Sequence, residues 1–436
     1  MLATVFLALI SPLQAQKGLD ALLDNRWGPD SEIVEYAAKL EKDKITPAKL
    51  EAMIRQPRAS YEELPAKAGE MSPEIPLQCD HVDYKTGFFV QLPQSYKKGW
   101  SYPLLIVFHG GNSAMSKAYA TQAAELMMPE WRKTAEEGGY ILALPLTERG
   151  WSWIGTSATF SMISKLSRSY QIDPDKIYIT GHSMGGHMTW RTAMHHPDRW
   201  AAVSPMSGGY DYVADGQVAA LWNVPGYATH GSEEPYEIAD FNRKMAEWTK
   251  EHHYDWIIQE CKGGHTIFPD QLPKILDFFK LRPKRDIYRS DVFIRQTGPL
   301  KIDQSEPKNP RWSQEHKWDP KRPLDRSSFF WVKVLEVGAK TFKDGSIARL
   351  RAVNKGGNRF DISADNVRSV RLYFHPKMAD LSKPIEITIN GETKKVTVKP
   401  DMAQMLRTVR ESDDRGKIFF GYLDLALSKD IEVANP

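Results

Sequence analysis

The sequence has 436 residues, 41% hydrophobic and 26% charged, with a formal net charge of +3. Those proportions are ordinary for a globular protein and exclude a disordered chain, a collagen and a polytopic membrane protein. The length predicts about three domains at about 150 residues each, and the small charge imbalance argues against nucleic acid as the main partner.

Residues 2–10 form an uninterrupted apolar run, too short for a bilayer span of about 20 residues. Ser11-Pro12-Leu13-Gln14-Ala15 follows, with Ala15 where a signal peptidase could cut. Residues 1–16 therefore read as a signal peptide, lacking only the usual basic residue before the run. This reading predicts a secreted or periplasmic protein without a membrane span. Two cysteines, Cys79 and Cys261, make no disulfide framework, and their pairing stays open.

Residues 17–68 read as a helical N-terminal segment. Ile33, Ala37 and Leu40 share one helical face, with Ser31 as a candidate cap; Thr46-Pro47 caps and opens a second helix. Between 69 and 284, strands at 87–92, 102–108, 140–144, 176–180, 201–205, 224–228 and 254–258 alternate with helices at 113–137, 156–170, 186–195 and 237–252. This alternation predicts a doubly wound, mostly parallel α/β sheet covered on both faces.

Residues 285–328 show little periodicity and are rich in proline, so they read as an extended connector. Strands at 329–337, 347–353, 370–374, 385–389 and 418–427, with Asn390-Gly391 as a hairpin turn, make 329–436 a β-rich accessory domain. Charge shifts at the same boundary: 285–436 carries +8 and 1–284 carries −5.

The sharpest motif is Gly181-His182-Ser183-Met184-Gly185-Gly186, between a strand and a helix. Glycines around a serine permit the strained turn that lifts its hydroxyl above a sheet edge, so Ser183 is the candidate nucleophile. His109-Gly110-Gly111 ends the strand at 102–108. A loop there can supply one backbone donor to an oxyanion, and the residue after the nucleophile the other; these are Gly111 and Met184.

A serine hydroxyl needs a base. His195, His196, His252 and His253 all lie at helix ends, where a structural role suffices. His265 follows the last strand on a Gly263-Gly264 turn and comes after the serine and every acid candidate, so it is the candidate base. The acid belongs on the loop after the penultimate strand, where Glu233, Glu234 and Glu237 compete, with Asp240 further on and Asp211 outside it. Trp151 and Trp153 read either as an aromatic wall for substrate or as ordinary packing.

Residues 100–280 resemble the α/β-hydrolase fold. The likeness is to its branch of feruloyl and acetylxylan esterases, polyhydroxybutyrate depolymerases and prolyl-oligopeptidase-like hydrolases. It rests on Phe108-His109-Gly110-Gly111, on 172–178 and 181–186, on His196-Pro197-Asp198-Arg199-Trp200 and on 204–209. The resemblance implies Glu234 as the acid, with Pro235 after it and Arg243 matching the family's Arg of the next helix without a gap. The departure is Glu for the more frequent Asp.

These readings converge on an exported serine hydrolase that cleaves small-molecule or polymer-linked esters through an acyl-enzyme, without cofactor or metal. The alternatives are a prolyl-oligopeptidase-like peptidase and a non-catalytic protein that binds a carbohydrate surface through its basic β domain. No phosphate loop, zinc helix or dinucleotide fingerprint occurs.

Overall fold

The computed structural model describes residues 12–111, 116–148, 151–209, 218–303, 317–343, 345–427 and 429–433. The first eleven residues of the proposed signal peptide and the acid alternative Asp211 lie outside the described residues.

Eight strands form the central sheet: β1 (Ile75–Gln78), β2 (Lys85–Gln91), β3 (Tyr102–Phe108), β4 (Ile141–Pro145), β5 (Ile172–His182), β6 (Ala202–Met206), β7 (Gly226–Gly231) and β8 (Trp256–Cys261). Their order is β1-β2-β4-β3-β5-β6-β7-β8. β2 runs antiparallel to β1 and β4, and the strands from β3 to β8 pair in parallel. This is the α/β-hydrolase fold.

Alternation along β3 shows how the layers are built. Leu104, Ile106 and Phe108 point to one face, with Ala158 and Met162 of helix α5 (Trp153–Ser169) and Met188 of helix α6 (Met184–His195). Leu105 and Val107 point to the other, with Trp131 of helix α4 (Lys117–Gly138) and Phe279 of the helix Leu272–Leu281. Burial on both faces gives the continuous apolar runs that made these strands legible. The short β1 carries no such run, and the sequence reading missed it.

The N-terminal helices α1 (Pro12–Asp24), α2 (Asp30–Lys42) and α3 (Pro47–Arg55) form their own cluster. Ile33, Ala37 and Leu40 are buried as expected, and Thr46 Oγ1 accepts from Lys49 N at 3.2 Å. The cap of α2 is Pro29 rather than Ser31, which lies within the helix. These helices pack on the helix Met402–Ser412, which the sequence reading did not find.

The accessory domain is a β-sandwich of a four-stranded and a five-stranded sheet. Asn390 and Gly391 both have positive φ, 47° and 86°, as a tight hairpin turn requires. The stretch read as a connector contains the strand Asp291–Thr297, which pairs with Ser346–Gly356 in the five-stranded sheet. Its alternation was hidden because both faces are covered: Val292 and Ile294 face the sandwich core, and Phe293 packs with Ala219 of the hydrolase domain. Buried charges tie the two domains. Arg285 holds Asp414 through two 2.7 Å bonds and Asp175 at 3.0 Å, and Lys417 Nζ meets Asp198 at 2.5 Å.

Candidate active site

Ser183 sits between β5 and α6 with φ 60° and ψ −119°, a conformation that strains a residue with a side chain. The turn is possible because its neighbours are bare. A Cβ on Gly185 would lie 2.1 Å from Phe108 O, and one on Gly181 would lie 2.6 Å from Gly185 O. Met184 opens α6, so its N–H is among the first-turn donors without an intrahelical acceptor.

His265 comes from the loop after β8, and Glu234 from the loop after β7. Glu234 Oε2 lies 2.6 Å from His265 Nδ1, and Ser183 Oγ lies 2.8 Å from His265 Nε2. An ionised carboxylate only accepts, so Nδ1 carries the proton. Nε2 is then the acceptor, and the serine hydroxyl donates to it. The Glu234 carboxylate is buried, and its Oε1 lies 3.4 Å from Gly231 N–H.

The competing acids lie elsewhere. Glu233 and Glu237 are exposed, and Asp240 pairs with Lys244 at 2.7 Å. Arg243 braces the acid loop from behind, donating to Glu260 at 2.7 Å and to Ser232 O at 3.4 Å. Buried His230 bonds the same Glu260 at 3.2 Å.

His109 is fully buried. Its Nε2 accepts from Thr147 N–H at 3.2 Å, so its Nδ1–H donates to Gly110 O at 2.8 Å. Burial pushes its pKa down to about 4, which keeps the ring neutral near pH 7. Gly111 follows with φ 141°, a backbone state that favours glycine. The loop that carries Gly111 borders the serine turn: a Cβ on Gly110 would lie 3.5 Å from Ser183 Cβ.

Trp151 does not wall the site. It is buried, donates from Nε1 to His109 O at 3.0 Å and packs on Phe108. Trp153 lies between the guanidinium groups of Arg191 and Arg326, at 4.3 and 4.1 Å. His195 and His196 are buried at the end of α6, in keeping with structural roles.

The sequence reading gave His182 no role. Its ring centroid lies 4.9 Å from that of His265. Burial, and then the neighbouring His265, hold its pKa down at about 4. Its place beside the serine was the available signal. Among the described residues no group of three His, Cys, Asp or Glu side chains could hold a metal ion, and no helix is long and apolar enough to cross a membrane. Cys79 and Cys261 are both free.

The family described as "Putative esterase" matches residues 80–321. Over 138 residues the chain is 26% identical to a bifunctional acetylxylan esterase/xylanase of Neocallimastix patriciarum, covering 30% of this chain and 19% of that protein. The chain thus spans about a fifth of the length of that relative. Similar solved structures include a ferulic acid esterase, 18% identical with TM-score 0.41, which covers 49% of this chain and 98% of its own. Another is a ferulic acid esterase from Anaeromyces mucronatus in complex with ferulic acid, 15% identical with TM-score 0.38, covering 48% of this chain and 89% of its own. With the match spanning more than half of the 436 residues and enclosing the Ser183 turn, Glu234 and His265, the chain belongs to this esterase family.

Proposed function

We propose that the protein is a serine hydrolase of carboxylic esters. The carrying observation is the continuous chain from Ser183 Oγ through the His265 ring to Glu234, at 2.8 and 2.6 Å. Its order along the sequence, serine, acid, histidine, is that of α/β-hydrolases.

In this reading Ser183 Oγ attacks the ester carbonyl carbon as His265 Nε2 takes its proton. Glu234 fixes the tautomer of His265 and stabilises the imidazolium that forms. The N–H groups of Gly111 and Met184 stabilise the oxyanion of the tetrahedral intermediate. His265 then returns the proton to the departing alcohol, which leaves an ester on Ser183. Water, deprotonated by His265, attacks that ester and releases the carboxylic acid and the serine. Neutral His182, whose ring packs on that of His265, adds no positive charge beside the imidazolium as it forms. The relatives named for acetylxylan and ferulic acid suggest polymer-linked esters as the substrate class. The apolar run at 2–10 supports export to the periplasm or medium.

The test uses a chromogenic short-chain ester beside a fluorophosphonate probe. Wild-type protein is expected to turn over the ester and to be labelled at Ser183. Ser183→Ala is expected to lose labelling and to lower turnover by about 10⁴–10⁶-fold. Equal turnover in a folded Ser183→Ala protein rejects the reading.

A further inference from the structure

The run Ser204-Pro205-Met206-Ser207-Gly208-Gly209 shares in the family resemblance but has no part in the proposed chemistry. His182 of β5 pairs in register with Met206 of β6, so Ser207 leaves the sheet one strand away from Ser183. Ser207 is fully buried and has φ 45°. Glycine adopts a positive φ freely, whereas serine adopts it at a cost, and such strain is a pointer to function. What serine adds over glycine here is a hydroxymethyl group, and its hydroxyl donates to Thr266 O at 3.0 Å.

That bond closes a ring through the candidate site. Ser183 N–H donates to Met206 O at 3.0 Å, and Met206 is joined to Ser207. Ser207 Oγ donates to Thr266 O, and Thr266 is joined to His265. His265 Nε2 then meets Ser183 Oγ at 2.8 Å. A tether positions its load only if its other end is fixed, and this end is. Ser207 N–H donates to Thr229 O of β7 at 2.7 Å. Asn242, on the helix Tyr236–Glu251, donates from Nδ2 to Gly208 O at 2.8 Å. A Cβ on Gly186 of α6 would lie 2.5 Å from Met206 O, so that helix also packs directly on the loop.

The two sides of the base loop have different supports. Before His265 the loop is laced to the acid loop, where Glu233 N–H donates to Gly263 O at 2.8 Å. That contact sets His265 against Glu234. After His265 the chain is open: Thr266 is exposed, and its own Oγ1 turns to Ile267 O at 3.2 Å. The Ser207 hydroxyl ties this open side to the nucleophile. We propose that Ser207 is a positioning residue, whose hydroxyl acts through Thr266 O to hold His265 Nε2 within proton-transfer reach of Ser183 Oγ. The proposal rests on the serine-hydrolase reading and adds to it a residue that touches neither substrate nor reacting atoms.

The test compares Ser207→Gly and Ser207→Ala in the full chain. Both lose the hydroxyl, but only glycine relieves the positive φ, so the Gly variant is expected to have the higher Tm of the two. In both, kcat for a chromogenic ester is expected to fall by about 10- to 100-fold with KM unchanged within about twofold, and the rate of fluorophosphonate labelling to fall in step. Ser207→Cys keeps a weak donor of similar size and is expected to recover part of the loss. A purely structural role instead makes kcat follow Tm across the three variants, and that outcome overturns the proposal. Should the Ala variant fail to fold, the Gly variant decides alone. Wild-type protein that is labelled, with a folded Ser207→Gly variant labelled equally fast and equally active, overturns the tether and leaves the hydrolase reading standing. Wild-type protein that is neither labelled nor active overturns both.

Discussion

Gly231 and Gly263 are in backbone contact across the two loops that carry the candidate acid and base. A Cβ on Gly231 would stand 2.4 Å from the carbonyl oxygens of both Gly263 and Gly264. Glu233 N–H donates to Gly263 O at 2.8 Å, and Ser232 N–H donates to Cys261 O at 2.7 Å. The loops behave as one laced unit, so the Glu234–His265 distance is set by backbone and not by side chains alone. Gly231→Ala is expected to push the loops apart, costing about 1–3 kcal/mol of stability. It should also lower kcat more than it raises KM. Steady-state ester kinetics and a urea melt check both; a variant with wild-type kcat sinks this account of the loop contact.

The identity of the acid gives a second comparison. Glu234→Gln keeps the shape of the side chain and loses its charge, so kcat is expected to fall by about 10³–10⁴-fold. Glu233→Gln and Asp240→Asn remove carboxylates that do not reach His265, and their kcat is expected to match wild type. A larger loss in either of those two than in Glu234→Gln reassigns the acid.

Glu51 predicts acid sensitivity far from the serine. Its carboxylate accepts from His375 Nε2–H at 3.1 Å and from Arg55 Nε at 3.1 Å. The His375 bond, above all, holds its pKa down at about 2, against an ordinary value of 4.5. The unfolded chain therefore takes up this proton as pH falls below about 5, while the folded chain resists it. The stabilisation is present above pH 4.5 and is lost as pH falls toward 2. Glu51→Gln is expected to flatten the fall of Tm with pH across that window, as followed by circular dichroism. An unchanged slope contradicts the pairing.

Arg285 offers a stability test of the domain junction. Its side chain and that of Asp414 are each 2% exposed. Removing one member leaves the other charge buried, so Arg285→Ala is expected to cost about 3–5 kcal/mol. Replacing both partners, Arg285→Met with Asp414→Leu, is expected to recover only part of that, because Asp175 and Arg199 each lose a partner as well. Chemical denaturation of the three proteins measures it.

Strands such as β3, β4 and β6 were legible because each is buried on both faces and so reads as an apolar run, whereas the edge strand β8 is only partly buried. The helix Met402–Ser412 was equally patterned, with Met402, Met405, Leu406 and Val409 on one face and Asp401 Oδ1 capping Gln404 N at 2.9 Å. It was overlooked inside a segment already read as β. The strand Arg359–Asp365 was missed because its outward residues are charged or polar and its apolar residues do not run together.

By itself the sequence determined that a serine stands at a glycine-lined turn, with a glycine-hinged histidine after it and several carboxylates between. Those are local properties, fixed by residue type and order. Only the tertiary structure decided which carboxylate meets the imidazole. Glu233, Glu234 and Asp240 are near neighbours in sequence, and their reach depends on the turn after Gly231 and on backbone contacts with a loop some thirty residues away. The joining of the N-terminal helices to the accessory domain was likewise invisible beforehand, because contacts such as Glu51 with His375 follow from chain topology and leave no periodic trace.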